Sequence, residues 1–189
     1  MVCGIDEAGR GPLAGPVCAA AVILGEGFPR ETRDLLNDSK KLPPAKREDL
    51  RRQILEGALA WGIGWASHTE IDDINILQAS LLAMKRAFEE MRKKRDVSGE
   101  TLSVIVDGLY APDIGIVCEP MVKADAKVRE VMAASILAKT ARDSHMDEMA
   151  LLYPQYGYEK HKGYPTKAHR ELIRKYGPSP IQRMTFRVR

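Results

Sequence analysis

Apolar and polar positions alternate along this chain in short, well-separated blocks. Val2, Cys3 and Ile5 make an apolar run that two adjacent carboxylates, Asp6 and Glu7, close. Neighbouring side chains of a strand point to opposite faces. Two carboxylates serving one spot therefore belong at a strand end, with Glu7 already in the turn. Pro16 to Leu24 is a continuous β-rich apolar run, the pattern of a strand covered on both faces. A polar, turn-forming cluster follows, Asn37-Asp38-Ser39-Lys40-Lys41. Pro43-Pro44 then opens a helix to Glu56, with Gly57 as its stop. Ala58 to Ser67 reads as another strand. Asn75 and Gln78 resemble a capping pair for a long helix. On it Leu77, Leu81, Met84, Phe88 and Met91 form one stripe facing the core. The basic cluster Arg92 to Arg95 suits its last turn.

Thr101 to Val106 is the next strand, ended by Asp107-Gly108, and Gly115 to Cys118 is a short fifth. Past Asp125 a long alanine-rich helix runs to about Met149, and its small residues imply close packing on the sheet. From Tyr153 onward the chain is aromatic, basic and rich in Gly and Pro, apart from a short helix from Lys167 to Tyr176. Strands alternating with helices predict an α/β fold.

The 189 residues are enough for one sizeable core, and 44% hydrophobic with 29% charged residues is ordinary for a globular protein. No apolar run reaches the ~18 residues of a membrane helix, and the chain opens on a strand rather than a signal peptide. Cys3, Cys18 and Cys118 are odd in number, far apart and set in apolar runs, as reduced buried thiols are. A cytoplasmic protein is expected. Charge adds an asymmetry. Glu159 to Arg189 holds nine Lys and Arg against two acids, while the other 158 residues hold twenty against twenty-four. A basic end on an acidic body suits a bound polyanion, although a solvated basic tail would look the same.

Asp6, Asp107 and Asp125 share one habit, each falling at or just after a strand end, where sites of α/β sheets collect. Carboxylates gathered in one place repel unless cations neutralise them. An oxygen-only donor set favours Mg²⁺ or Mn²⁺ over zinc. With Glu7, such a set can hold two ions ~3.5–4 Å apart, as in phosphodiester cleavage. Each acid has a plainer alternative: Asp6 as a strand terminator, Asp107-Gly108 as a turn, Asp125 as a helix cap. Gly9-Arg10-Gly11 lacks the third glycine of a dinucleotide loop. His161 lies in a Lys-His-Lys-Gly-Tyr cluster and could touch phosphate, whereas His68, His145 and His169 read as surface or partly buried residues.

Several motifs together resemble the ribonuclease HII family. They are Asp6-Glu7-Ala-Gly9-Arg10-Gly11-Pro12, Asp38-Ser39-Lys40-Lys41-Leu42, Asp107-Gly108, Lys123-Ala124-Asp125-Ala126-Lys127, Ala134-Ser135 to Lys139, and His161-Lys162-Gly163-Tyr164. The resemblance implies a ribonuclease H-like five-stranded mixed sheet flanked by helices. It divides the chain into a catalytic domain, 1–152, and a small C-terminal helical extension, 153–189, packing on it. It implies metal-binding catalytic roles for Asp6, Glu7, Asp107 and Asp125, and an auxiliary acid at Asp143. Gly9, Arg10 and Gly11 match the backbone loop that reads a ribose 2′-hydroxyl, and Tyr164 the ring at the ribonucleotide–deoxyribonucleotide junction. Ser39, Lys40, Lys123, Ser135, His161 and Lys162 fall in the remaining substrate-binding motifs. Ala124 departs from the glycine of many relatives. The expected enzyme is a monomer that cuts RNA–DNA hybrids and single ribonucleotides in duplex DNA, leaving 3′-hydroxyl and 5′-phosphate ends. A sliding-clamp partner stays open, because Gln182 to Phe186 lacks paired aromatics. A silent hybrid-binding protein and a two-metal DNA resolvase are the alternatives.

Overall fold

The computed structural model describes residues 1–36, 43–97, 99 and 101–188. The turn cluster with Ser39 and Lys40 lies outside them. The strands are β1 (Val2–Ala8), β2 (Val17–Ile23), β3 (Ala60–Ala66), β4 (Ser103–Asp107) and β5 (Cys118–Met121). They form one five-stranded sheet in the order β3-β2-β1-β4-β5. β1, β2 and β3 pair antiparallel, whereas β4 runs parallel to β1 and β5 parallel to β4. The helices are α1 (Arg30–Leu36), α2 (Pro44–Gly57), α3 (His68–Lys94), α4 (Arg129–Leu152), α5 (Tyr158–His161) and α6 (Lys167–Tyr176).

Strand alternation explains why β2 is apolar throughout. Val17, Ala19, Ala21 and Ile23 enter a core shared with α3, while Cys18, Ala20 and Val22 enter one shared with α2 and α4. The same alternation sorts β1: Cys3 and Ile5 lie on the α3 side. Gly4 and Asp6 therefore face α4. A Cβ at Gly4 would come within 2.2 Å of the Glu130–Val131 backbone, so only glycine lets α4 sit this close to β1. A third apolar cluster joins Tyr156, Tyr158 and Ile181 to Ala14, Met146 and Ala150. Tyr156 and Tyr158 thus bury their rings against the loop after β1 and the last turns of α4.

Four details differ from the sequence reading. The long helix starts at His68, capped by Ser67, which exchanges a capping box with Glu70. Asn75 interrupts it with φ 68° and ψ 165°, and its carboxamide accepts from Leu77 N–H at 2.9 Å and Gln78 N–H at 3.2 Å. The fifth strand is Cys118–Met121, not Gly115 to Cys118. Asp125 sits in the 3₁₀ turn Ala124–Ala126, whereas α4 begins at Arg129 with Val128 as its cap, so Asp125 is not the helix cap. Finally, α1 (Arg30–Leu36) falls between Leu24 and Asn37, a stretch to which the sequence reading gave no element.

Asn75 combines a cap with a backbone region that non-glycine residues avoid. Asn75→Ala removes the cap and keeps the strain, at an expected cost of about 1–2 kcal/mol. Asn75→Gly loses the cap but relieves the strain, and should be the more stable of the two variants. Urea denaturation decides this; an alanine variant as stable as the glycine variant would show that the positive φ costs nothing at this position.

Candidate metal centre and substrate loop

Parallel pairing of β1 with β4 builds the centre. Ile5 stands opposite Val106, so Asp6 and Asp107 come next to one another at neighbouring strand ends. The 3₁₀ turn after β5 adds Asp125, whose N–H approaches Asp107 Oδ1 at 3.4 Å. Carboxylate oxygens of Asp6, Asp107 and Asp125 lie within 4.8 Å of one another. Asp6 is 5% exposed. Burial first, then the charges of Glu7 and Asp107, push its carboxyl well above the usual carboxylate range. Hydrogen bonds from Ser135 and from the Glu7 amide, the latter at 2.7 Å, act in the opposite direction.

Glu7 is not in the turn. β1 continues to Ala8, and Glu7 pairs with Ala19. Its side chain therefore leaves the sheet on the face opposite Asp6, outside the cluster of three. Oε1 lies 3.5 Å from Arg10 Nη1, while Oε2 is buried without a hydrogen-bond partner among the described residues. Burial raises this carboxyl too, with Asp107 adding to the rise and Arg10 opposing it. Acids whose carboxyls burial pushes up, one orphaned carboxylate oxygen and an oxygen-only donor set all fit a divalent cation.

The glycine loop, 9–16, leaves β1 directly. Gly9 has φ +101°, and a Cβ there would strike Arg142 Nε at 2.1 Å. Gly11 shows no such strain: a Cβ would meet only the Tyr164 ring, at 3.9 Å. Arg10 and Gly11 are exposed. The Tyr164 ring, 37% exposed, stands 5.6 Å from Lys139 Nζ and 5.7 Å from the Arg142 guanidinium, both within cation–π range. Ser135, Lys139 and Asp143 follow one another at i, i+4 and i+8 and share one face of α4. Asp143 accepts from Lys139 at 2.8 Å.

Two histidines pin the main chain at Tyr164. Gly163 N–H donates to His161 Nδ1 at 3.2 Å, which leaves the proton on Nε2 to bond the Tyr156 carbonyl at 2.9 Å. His169 donates Nδ1–H to the Tyr164 carbonyl at 3.0 Å, and the two imidazoles stack at 4.3 Å. His161 is 8% exposed and spends both nitrogens on backbone, so it does not present itself to a phosphate. His169 is fully buried rather than superficial. Lys162 gives its ammonium to Asp147 and to the Glu159 carbonyl. Lys123 is exposed, with φ 58°. Sequence reasoning missed Arg142 and Arg183, both buried beneath the glycine loop. A basic residue among the buried positions Ala138, Arg142 and Met146 of α4 was the available signal for the first; the tail gave none for the second.

The family model for ribonuclease HII matches residues 3–189. The ribonuclease HII of Treponema denticola is 54% identical over 199 residues, covering 100% of this chain and 99% of that one. The chain belongs to the ribonuclease HII family. It is accordingly an enzyme, a metal-dependent ribonuclease of the H type. Solved structures of this family and its kin share the fold. The ribonuclease H2 of Pyrococcus horikoshii OT3 is 27% identical with a TM-score of 0.73, covering 99% of this chain and 94% of its own. The RNase HII of Archaeoglobus fulgidus, solved as a complex with PCNA, is 25% identical with a TM-score of 0.78, covering 100% and 96%. Among the described residues no helix is long and apolar enough to cross a membrane.

Asp6 keeps its proton more readily folded than unfolded, so the metal-free protein loses stability as pH rises through and beyond the ordinary carboxylate range. Asp6→Asn should therefore melt above wild type at neutral pH without metal, with the gap closing in acid. Added Mg²⁺ should raise the wild-type midpoint and leave the variant's unchanged. A variant that melts no higher would place the repulsion elsewhere.

His169 has the opposite sign. Burial pushes it from 6.5 down to about 4, so the unfolded chain binds the proton first and stability falls as pH drops across that interval. His169→Phe should flatten the thermal midpoint's dependence on pH between 6.5 and about 4. Equal slopes would clear His169 of that loss.

Proposed function

We propose that this enzyme hydrolyses the phosphodiester 5′ to a ribonucleotide, both within RNA–DNA hybrids and at single ribonucleotides in duplex DNA. The observation that carries this reading is the glycine loop that leaves β1 just past Asp6 and Glu7, with Arg10 and Gly11 exposed and Gly11 beside the Tyr164 ring. The 2′-hydroxyl distinguishes RNA from DNA, and backbone amides can bond it without a base preference.

Asp6, Asp107 and Asp125, with Glu7 approaching from the other face of β1, would hold Mg²⁺ or Mn²⁺. When bound, two such ions supply an activated water and stabilise the charge on the leaving oxygen. Water oxygen joins phosphorus as the bond to the 3′ oxygen breaks, which leaves 3′-hydroxyl and 5′-phosphate ends. Ser135 fixes the rotamer of Asp6 by donating to it. Tyr164, steadied by Lys139 and Arg142, packs against the sugar that follows the ribonucleotide. Asp143, on the face of α4 that carries Ser135 and Lys139, is an auxiliary acid whose ammonium partner faces the substrate. Lys123 and the cations of α6 hold phosphates without reading sequence, as would Ser39 and Lys40. In this reading residues 1–152 carry the chemistry and 153–189 extend the holding surface of a monomer. The complex of the archaeal relative with PCNA raises a clamp contact here too. Phe186 packs against the α3 core under Arg183, so such a contact would need other residues.

The test is a duplex carrying one ribonucleotide, beside its all-DNA twin and an RNA–DNA hybrid, each with Mg²⁺, Mn²⁺ or EDTA and with product ends mapped. Cutting of the first and third only, 5′ to the ribonucleotide and with metal only, is expected. Equal cutting of the all-DNA twin would favour a resolvase, and binding without cutting a silent binding protein. Tyr164→Phe should be milder than Tyr164→Ala, since ring packing on a nucleotide is worth about 1–3 kcal/mol.

A further inference from the structure

Two guanidiniums lie under the glycine loop, those of Arg142 and Arg183, 1% and 0% exposed. Their hydrogen bonds go to main-chain carbonyls. Arg142 donates to Pro16 at 3.0 Å, Lys162 at 3.0 Å and Ala14 at 3.2 Å. Arg183 donates through Nε to Gly15 at 2.9 Å, through Nη1 to Arg10 at 3.0 Å, and through Nη2 to Gly9 at 2.6 Å and Pro16 at 3.2 Å. Burial disfavours both charges, and the charge of Arg142 adds to the penalty on Arg183. Apolar side chains could fill this space but would leave the buried carbonyls without partners. The arginines supply something apolar groups cannot, which is a fixed direction for each carbonyl.

That direction sets the amides. In a trans peptide the C=O of one residue and the N–H of the next point opposite ways, and the described residues have no cis bonds. The carbonyls of Gly9 and Arg10 point down to Arg183. The N–H groups of Arg10 and Gly11 therefore point up, on the exposed side of the loop. We propose that Arg183 is a positioning residue for sugar discrimination: its planar fork turns the Gly9 and Arg10 peptides so that the next two amides meet the ribose 2′-hydroxyl. This rests on the reading of the loop given above. Of the two arginines only Arg183 reaches these carbonyls. It comes from the last turn of the chain, whose N–H also bonds the Leu13 carbonyl at 2.9 Å. The C-terminal segment would thus set specificity without touching the substrate.

Arg183→Lys keeps the charge but loses the fork, so it cannot hold both peptides and the Gly15–Pro16 side together. Ser179→Ala is the control, since it cuts the Tyr158–Ser179 hydroxyl bond in the same segment without reaching the loop. Both are compared with wild type at a temperature where all are folded. The quantity measured is the ratio of affinities, in EDTA, for a duplex with one ribonucleotide and for its all-DNA twin. Arg183→Lys should lower this ratio about tenfold, the worth of one to two neutral hydrogen bonds, with all-DNA affinity unchanged. Its kcat/KM on the ribonucleotide duplex should fall in step, and Ser179→Ala should keep the wild-type ratio. A wild-type preference that Arg183→Lys retains overturns the inference alone. So does an equal loss on both duplexes, or an Arg183→Lys chain that does not fold. A wild-type protein with no preference overturns the reading of the loop and the inference with it.

Discussion

The parallel, in-register pairing of β1 with β4 is the constraint from which the rest of this molecule follows. It sets Asp6 and Asp107 side by side at the end of a buried sheet, and the turn after β5 brings a third carboxylate to them. Such a group is unfavourable in isolation, because burial and like charge both resist ionisation. The fold accepts that strain in the unloaded protein and surrenders it to a cation. Gly4 helps by letting α4 approach β1, which puts Ser135 on Asp6. Stability and chemistry are opposed at this spot, as the raised carboxyl of Asp6 records.

Around the centre the chain solves a different problem, the orientation of main-chain groups. Loops usually satisfy their carbonyls with water or with each other. Here the loop from Gly9 to Pro16 is held from below by Arg142 and Arg183, and from the side by Gly163, whose carbonyl accepts from Leu13. The Tyr164 turn is fixed by the stacked pair His161 and His169. Loop and ring thus owe their places to residues distant in sequence, several of them beyond position 152. The C-terminal segment is basic in composition, yet Arg183 faces inward and Lys162 is spent on Asp147. Net charge therefore overstates what the tail offers to a phosphate backbone.

Much was legible beforehand, and for physical reasons. The continuous apolar run of β2 demanded two covered faces, and it has them. The stripe on α3 faces the core, with Met84, Phe88 and Met91 buried. Acids at successive strand ends come together because strand ends of one sheet share an edge. The misreadings were local. Ser67 with Glu70 and Asn75 with Leu77 both make cap bonds, and pattern alone cannot tell a helix start from a kink.

By itself the sequence determined the kinds of element, the acids available for a metal and, through its motifs, the family to which the chain belongs. These depend on residue type and short spacing, which a linear text carries. Only the tertiary structure decided which face each side chain takes and what it meets there. Glu7 leaves β1 opposite Asp6 because β1 continues to Ala8 instead of turning after Asp6. His161, at the end of α5, and His169, in the first turn of α6, are buried where they stack on each other and meet the Tyr158 ring edge-on. Arg183 closes the glycine loop across a separation of more than 160 residues. A contact of that reach leaves no periodic trace in the sequence, since nothing near either end specifies the other.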